Sequence, residues 1–209
     1  MNIPIIYEDD WLLVLDKPPG LLTIPTPQNE KRTLTSILND DAQAKGLSCR
    51  LHPCHRLDRE TSGLIIYAKG KSTQNKIMQI FKQRKVKKAY LAFVQGAPAL
   101  AEGEIKAAIE GQAAVTRYKT LEKRKGFSIV EAVPITGRTN QIRIHFKNLG
   151  YPILGETKYA FRRDFAIKAK RLCLHARSLE FAHPVTNNNL KLTAGIPLDL
   201  EDFLKQHPD

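Results

Sequence analysis

One carboxylate in this sequence lies between two guanidinium groups. Residues 55–63 read His-Arg-Leu-Asp-Arg-Glu-Thr-Ser-Gly, so Asp58 has Arg56 two positions before it and Arg59 directly after it. A guanidinium close to a partly buried carboxylate holds it ionised, and an ionised, positioned carboxylate can act as nucleophile or base on a sugar or base carbon. Most Asp–Arg neighbours are only surface pairs, so spacing alone favours a salt-bridged polar turn.

A second cluster of polar side chains lies on a predicted helix. Residues 137–146 read Gly-Arg-Thr-Asn-Gln-Ile-Arg-Ile-His-Phe. The apolar residues share one helical face, whereas Arg143 leaves the helix on another side, from which it can pair bidentately with a carboxylate. Arg138 and Gln141 are the other polar residues of this segment that we predict to bind substrate. The alternative is an amphipathic helix with a solvated basic side.

A third segment combines an aromatic ring with cations. Residues 87–94 read Lys-Lys-Ala-Tyr-Leu-Ala-Phe-Val, and Tyr90 opens a predicted strand directly after the basic stretch 82–88. A ring beside cations can serve as a platform for a nucleic-acid base next to phosphates. The commoner fate of a single Tyr at a strand start is the rim of a core, and this interpretation stays open.

Hydrophobic periodicity and turn residues outline the elements that must position these groups. The predicted strands are 64–68, 89–95, 113–121, 127–133, 178–182 and 190–193. Helices are predicted to begin at the cap Thr33, at Ser72 or Thr73, near Ile142 and at Pro197. Because strands and helices mix without a linker or a repeat, we predict one α+β domain over residues 1–209, with a cleft between two halves.

Composition and charge narrow the class of protein and its partners. The chain has 209 residues, of which 42% are apolar, so a globular protein with a sizeable core is expected. Its formal net charge of +12 attracts polyanions. Nucleic acid is therefore the favoured partner, with an anionic membrane surface as the lesser alternative. No apolar run approaches the roughly 20 residues that a membrane span needs.

The cysteines and the N-terminal segment bear on location and on metals. Cys49, Cys54 and Cys173 are an odd number without a regular framework, which predicts reduced thiols and a cytoplasmic protein. The first residues lack a basic stretch and carry acidic residues at positions 8–10, so we expect no signal peptide. Two histidines lie beside the first two cysteines, but their spacing is not that of a zinc knuckle. We therefore predict no metal site.

Taken together, these segments resemble the RluA-type family of RNA pseudouridine synthases. The motif His-Arg-Leu-Asp-Arg-x-Thr-Ser-Gly stands at 55–63, and the independent motif Gly-Arg-Thr-x-Gln-Ile-Arg-x-His stands at 137–145. Segments 5–20 and 150–155 add to the resemblance, which runs in order through most of the chain. Two specific motifs at the proper separation make coincidence a poor explanation. The resemblance implies an enzyme that isomerises uridine in RNA to pseudouridine.

The resemblance also implies a role for each matching residue. Asp58 falls on the catalytic carboxylate, and Arg56 on the Arg that helps to push the target nucleotide out of the RNA. Tyr90 is expected to stack on the target uracil, and Arg143 is expected to pair with Asp58. The implied fold is α+β, a mixed, largely antiparallel sheet with flanking helices and a basic central cleft. The family uses no metal and no organic cofactor, and we expect a monomer that acts on rRNA or tRNA stem-loops.

Three positions depart from the family pattern. The family usually has His where Asn140 stands, Asp where Glu156 stands and Gly where Ala160 stands. We expect none of the three to contact the catalytic carboxylate, the stacking ring or the paired Arg, so they bear on substrate detail and not on the reaction. Many relatives also carry an N-terminal RNA-binding domain of the S4 kind, whereas this chain begins at the catalytic segment. We therefore expect a catalytic domain alone.

Two other functions fit parts of the sequence. The first is a non-catalytic RNA-binding or chaperone protein on the same fold, although a pure binder has no use for a buried ion pair and its cost. The second is a glycoside-type hydrolase or nuclease that uses Asp58. A hydrolase usually needs a second carboxylate as acid, and near the two motifs only Glu60 is available.

Overall fold

The computed structural model of the protein describes residues 3–28, 30–47, 49–161 and 165–208. The described residues form ten strands: β1 (Ile5–Glu8), β2 (Leu12–Lys17), β3 (Leu51–Pro53), β4 (Ser62–Lys69), β5 (Lys87–Gln95), β6 (Glu102–Lys106), β7 (Val115–Arg124), β8 (Phe127–Pro134), β9 (Leu174–Ala182) and β10 (Asn189–Thr193). They also form four helices: α1 (Leu34–Ala44), α2 (Lys71–Lys82), α3 (Gln141–Asn148) and α4 (Leu198–Gln206). The predicted α+β class, with a mixed, largely antiparallel sheet, is confirmed.

Contacts along the chain divide it into two compact units. Unit 1 comprises Met1–Lys87 and Ser178–Ala194, and unit 2 comprises Lys88–Arg177 and Gly195–Asp209. Strand β9 contributes residues 174–177 to unit 2 and residues 178–182 to unit 1. Each unit has its own cluster of buried apolar side chains. The single domain over residues 1–209 stays a prediction.

Unit 1 is built on a strand that is apolar along almost its whole length. Its strands lie in the order β1-β2-β4-β9, with β3 also paired to β4 and β10 to β9. Strands β2 and β4 are antiparallel, from Leu12 opposite Ala68 to Lys17 opposite Gly63. Nearly every residue of β4 is buried, as its continuous apolar run predicts. The core of this unit includes Leu12, Val14, Leu64, Ile66, Ile77, Leu179 and Phe181.

The two helices of unit 1 begin close to where the sequence predicts. Thr33 is the N-cap of α1, where its hydroxyl accepts a hydrogen bond from the Ser36 N–H while the Ser36 hydroxyl accepts one from the Thr33 N–H. This reciprocal arrangement is a capping box. Helix α2 begins at Lys71, just before the predicted start, because Gly70 with a φ of 92° takes the N-cap position.

Unit 2 is a series of antiparallel strands covered by α3 and α4. Its strands lie in the order β9-β5-β8-β7-β6, and the pairs β5–β8, β8–β7 and β7–β6 are antiparallel. The predicted pairing of β7 with β8 is confirmed. The core of this unit includes Phe93, Phe127, Val130, Ile142, Phe146, Leu172, Leu200 and Phe203.

The structure adds elements that the sequence pattern did not reveal. Strands β1, β2, β3 and β6 have three to six residues each and lack a clear alternation of apolar and polar residues. The predicted helix near Ile142 is α3, which ends at Asn148 and is followed by the exposed Leu149. Among the described residues, no helix has the length and apolar character that crossing a membrane requires.

Candidate active site

Asp58 lies on the loop between β3 and β4. Hydrogen bonds to the backbone of Leu57, the residue before it, hold this loop in place. The buried hydroxyl of Thr23 donates a hydrogen bond to the Leu57 carbonyl (3.1 Å) and accepts one from the Leu57 N–H (3.3 Å). The Leu57 side chain is buried, whereas Asp58 is only partly buried. The backbone therefore holds the loop, and Asp58 stays partly exposed.

Arg59, the residue after Asp58, is held in place by the ammonium group of the buried Lys17. The carbonyl of Arg59 accepts hydrogen bonds from the Gly20 N–H (2.8 Å) and from Nζ of Lys17 (3.1 Å). Lys17 is fully buried, and its ammonium also donates to the carbonyls of Pro18 and Leu21, each at 2.8 Å. Three carbonyl acceptors compensate the burial of this charge. Lys17 and Thr23 thus secure the chain on both sides of Asp58.

The two guanidinium groups beside Asp58 have different surroundings. Arg59 is exposed and pairs with Glu30 at 3.1 Å. Arg56 is also exposed. His55, at the start of the motif, accepts a hydrogen bond through Nε2 from the Ile66 N–H of β4 (3.1 Å). An imidazole nitrogen that accepts such a bond is unprotonated, so His55 anchors the loop to β4 through that nitrogen.

Arg143 forms the bidentate carboxylate pair that its position on the helix predicted. Its Nε and Nη2 donate to the two carboxylate oxygens of Glu156, each at 2.7 Å, and both side chains are buried. Its Nη1 donates to Oδ1 of Asn140 at 2.9 Å. Two of the three departures from the family pattern therefore contact the paired Arg. Our expectation that they contact none of the key residues was wrong, because Asn140 precedes Arg143 by one helical turn and the turn after Leu154 brings Glu156 to it.

Glu156 is held as an anion. Besides Arg143, its Oε1 accepts hydrogen bonds from the backbone N–H groups of Thr157 (2.9 Å), Lys158 (2.8 Å) and Tyr159 (3.3 Å). Burial alone would raise the pKa of Glu156, but the hydrogen bonds from Arg143 and the backbone outweigh burial and hold its pKa below the ordinary value. The ion pair therefore persists at neutral pH.

Gly155 places Glu156 at this position by a close approach of two backbones. It has a φ of +76°, and a Cβ at this residue would lie 1.9 Å from the carbonyl oxygen of Arg171. Such a distance is far inside van der Waals contact, so only glycine fits. Arg171 in turn pairs with Asp199 of α4 through Nε and Nη2. The anchor of Arg143 is thus part of the packing of unit 2.

Asn140 joins Arg143 to an aromatic ring. Its Nδ2 donates to the hydroxyl of Tyr159 at 2.9 Å, and Cζ of Arg143 lies 5.4 Å from the centroid of that ring. The backbone of Asn140 is left-handed, with a φ of 54°. Asn and His are both enriched in this conformation among non-glycine residues. The replacement of the family's His by Asn140 therefore preserves the backbone of the turn before α3.

Gln141 is buried, and its amide bonds within the protein. Its Oε1 accepts from the hydroxyl of Thr136 (2.7 Å) and the N–H of Arg138 (3.0 Å). Its Nε2 donates to the Val115 carbonyl (2.9 Å) and the Thr116 hydroxyl (3.0 Å). These four bonds match the two donors and two lone pairs of an amide. Gln141 fixes the turn that carries Arg138, and its predicted contact with substrate stays a prediction.

Tyr90 and Arg138 also belong to unit 2. Tyr90 lies on β5 opposite Ala132 of β8 and packs at the rim of the core, which fits the simpler interpretation of this residue without excluding stacking. Arg138 is partly exposed, and its Nε donates to the Ala113 carbonyl at 3.2 Å. Asp58 and Arg56 belong to unit 1. The pairing of Asp58 with Arg143 and the stacking role of Tyr90 stay predictions.

The sequence did not single out three residues that hold predicted site residues in place, two in unit 1 and one in unit 2. Lys17 ends an apolar strand and would ordinarily be read as exposed, Thr23 lies in an irregular segment, and Glu156 was noted only as a departure. A Lys at the end of an apolar run before Pro-Pro-Gly is the one local signal that was available.

Two of the three cysteines, Cys54 and Cys173, are buried. Burial raises the pKa of the Cys54 and Cys173 thiols to about 12 in each case, so neither is a thiolate nucleophile at neutral pH. Among the described residues, no group of three or more His, Cys, Asp or Glu side chains could hold a metal ion.

Comparisons with known proteins agree on one family. A sequence model described as RNA pseudouridylate synthase matches residues 11–148. The uncharacterized RNA pseudouridine synthase YjbO of Bacillus subtilis is 32% identical over 97% of this chain and 76% of its own length. The dual-specificity RNA pseudouridine synthase RluA of Pasteurella multocida is 34% identical over 92% of each chain. The solved structure of human RNA Pseudouridylate Synthase Domain Containing 4 superposes with a TM-score of 0.82 at 27% identity, covering 97% of this chain and 92% of the human one.

Proposed function

The chain belongs to the RNA pseudouridylate synthase family, and from that premise we propose how its residues carry out the reaction. The enzyme is an isomerase that converts uridine in RNA to pseudouridine. The reaction breaks the bond between N1 of uracil and C1′ of the ribose. The uracil turns while enclosed, C5 bonds to C1′, the C5 proton leaves and N1 takes up a proton. Substrate and product are isomers, so no oxidant or reductant is consumed.

Asp58 is the carboxylate that promotes cleavage of the glycosidic bond. The observation that carries this assignment is the fixation of its loop, by Thr23 on one side and by Lys17 and Gly20 on the other. A carboxylate that must meet one ribose carbon gains from being positioned before the substrate arrives. The backbone bonds leave the carboxylate itself partly accessible.

Three further residues complete the proposed site. Tyr90 stacks on the target uracil, and Arg143 pairs with Asp58 through the guanidinium that Glu156 holds in place. The exposed Arg56 takes the place of the nucleotide that leaves the RNA. Extruding a base costs a few kcal/mol and is easiest where the base is not paired. We therefore expect the target uridine in a loop.

RNA binding is driven by charge. The net charge of +12, with cations from residues 82–88 and Arg138, supports a basic cleft that holds RNA by its phosphates. Because relatives are described as ribosomal large subunit and dual-specificity enzymes, we propose stem-loops of rRNA or tRNA as substrates. Free cysteines support a reducing compartment such as the cytoplasm.

Primer extension after carbodiimide treatment tests this function and names the site. Unmodified rRNA and tRNA transcripts are incubated with the wild type, with Asp58→Asn and with Asp202→Asn, which changes an exposed aspartate of α4. Wild type and Asp202→Asn should give the same new stop at one loop uridine, and Asp58→Asn should give none. A stop produced equally by Asp58→Asn would remove Asp58 from the mechanism.

The two rival functions are disfavoured by the surroundings of Arg143. A hydrolase needs a protonated carboxylic acid, whereas the lowered pKa of Glu156 keeps it ionised. A protein that only binds RNA has no use for the buried pair of Arg143 and Glu156, because such pairs contribute little stability relative to apolar packing. Release of free uracil, or strand cleavage, would favour the hydrolase.

A further inference from the structure

Lys88 is a partly buried cation on the same face of β5 as Tyr90. Alternate residues of a strand point to the same side of a sheet, so Lys88 and Tyr90, two positions apart, are neighbours on that face. Lys87, the preceding residue, is exposed and pairs with Glu180. The two adjacent lysines therefore differ in both burial and charge compensation.

The ammonium of Lys88 lacks compensation. Across the described residues, Lys88 has neither a carboxylate partner nor a hydrogen bond. Burial is the only cause that shifts its pKa, and it lowers that pKa from the ordinary value. Lys17, by contrast, is fully buried and donates to three carbonyls. Buried charges in proteins are normally paired, so the environment of Lys88 is suited to an anion from outside the chain.

Gly137 lies next to the ammonium of Lys88. A Cβ on Gly137 would lie 3.8 Å from Nζ of Lys88, so the ammonium lies beside the start of the second motif. Arg138, the next residue, is partly exposed and adds a second cation. Bases stack on aromatic rings and phosphates bind cations. Tyr90 is therefore suited to the base of a nucleotide, and Lys88 and Arg138 are suited to the phosphate next to it.

We propose that Lys88 binds a phosphodiester group of the substrate RNA, next to the nucleotide whose base stacks on Tyr90. The site rests on the proposed function and adds to it a phosphate subsite in unit 2. The RNA phosphate supplies the charge that the protein does not, and Arg138 binds the same stretch of backbone. Lys88 is thus retained for binding at the expense of the stability of the free protein.

Lys88→Met separates this role from a structural one. Methionine keeps a similar unbranched length without the charge, so it should raise the melting temperature of the free protein. A hydrogen bond to a charged group contributes about 1.5–3 kcal/mol, which corresponds to a loss of RNA affinity of about tenfold or more. One lost phosphate contact should also lower the slope of log affinity against log salt concentration by about one.

The experiment measures melting temperature, and affinity for an unmodified tRNA transcript at several KCl concentrations. Lys205→Met, which removes an exposed cation of α4 paired with Asp202, is the matched control and should leave all three quantities near wild type. Lys88→Arg keeps the charge and should keep the salt slope. A lower melting temperature for Lys88→Met would make Lys88 a structural residue, and affinity and slope equal to those of Lys205→Met would remove the phosphate subsite.

Failure of this site and failure of the proposed function have different signatures. Binding is measured without turnover, so a loss of affinity and slope in Lys88→Met stands even if no pseudouridine forms. Pseudouridine formation by wild type, with Lys88→Met binding RNA as Lys205→Met does, would retain the function and reject the subsite.

Discussion

The loop that carries Asp58 and the helix that carries Arg143 are held by different kinds of contact. In unit 1, the chain on both sides of Asp58 is held by bonds to backbone groups, from the Thr23 hydroxyl, the Gly20 N–H and the buried Lys17 ammonium. In unit 2, the guanidinium of Arg143 is held by side chains, from Glu156 and Asn140. One region fixes a stretch of chain, and the other fixes a single charged group.

This difference predicts different sensitivities. Several bonds share the task of holding the Asp58 loop, so the loss of one weakens the site without collapsing it. The position of Arg143 depends on one carboxylate, whose own position depends on the close approach at Gly155. Single substitutions in unit 2 should therefore cost more than single substitutions in the loop of unit 1.

The largest effect is expected for Gly155→Ala. The added methyl meets the backbone of Arg171 at 1.9 Å, so the turn before Glu156 must move, and we expect a loss of more than about 3 kcal/mol in unfolding free energy. Urea unfolding followed by circular dichroism measures this loss. Gly150→Ala is the control, because its φ is also positive but no described heavy atom lies within 4 Å; it should cost only about 1–2 kcal/mol. Equal losses in the two variants would contradict the close approach.

Glu156→Gln should have the next largest effect. Removing the charge takes from the buried guanidinium the carboxylate that its Nε and Nη2 bind, which costs about 3 kcal/mol in stability. Turnover should fall more than RNA affinity, because Arg143 is displaced and the RNA-binding cations are not. Glu156→Asp keeps the charge and should restore part of the turnover. Unchanged kcat in Glu156→Gln would show that Arg143 needs no anchor.

Thr23→Val tests the backbone fixation in unit 1 and should have a smaller effect. The substitution keeps the shape but leaves the buried Leu57 carbonyl and N–H without this partner, at a cost of about 1–3 kcal/mol. We expect kcat to fall and KM to change little, because Asp58 loses its position while the RNA contacts remain. Thr23→Ser keeps the hydroxyl and should behave as wild type. A Thr23→Val enzyme with full kcat would mean that the loop is held adequately without Thr23.

The smallest effect is an acid sensitivity of unit 2 that comes from His145. This side chain is fully buried, with Nδ1 at 2.9 Å from the Thr116 hydroxyl and Nε2 at 3.0 Å from the Ala107 carbonyl. Burial lowers its pKa below the ordinary 6.5. The unfolded chain therefore binds a proton at a pH where the folded chain does not. The contribution of neutral His145 to the free energy of unfolding is complete above pH 6.5, and it is lost as the pH falls toward the lower pKa of the folded protein.

Melting temperatures across this range measure the His145 contribution. Wild type should lose stability below pH 6.5 more steeply than His145→Gln, which has no imidazole to protonate. Parallel pH profiles for the two proteins would remove His145 as the source of the acid sensitivity.

The sequence was sufficient for the elements whose patterns are strong. The continuous apolar run of β4, the capping threonine of α1 and the helical period around Ile142 were all read correctly. The side of α3 from which Arg143 leaves also predicted a bidentate pair with a carboxylate. The short strands β1, β2, β3 and β6 were missed, because three to six residues are too few to show a period.

The sequence could not show which groups the buried side chains of Arg143 and Lys17 bind. Glu156 meets Arg143 because a left-handed glycine turns the chain, and no local pattern states where that turn leads. Lys17 is buried because three carbonyls converge on its ammonium, whereas lysine is ordinarily an exposed residue. In both cases the burial of a charge depends on contacts that only the folded chain defines.

Tritium release from RNA labelled at C5 of uridine tests the central assignment most directly, because forming the C5–C1′ bond expels the C5 hydrogen into water. Unmodified rRNA and tRNA are incubated with wild type, Asp58→Asn and Asp202→Asn. We predict release by wild type and Asp202→Asn and none by Asp58→Asn, with RNA affinity retained in all three. Release by Asp58→Asn, or no release by wild type that binds these RNAs, would contradict the account.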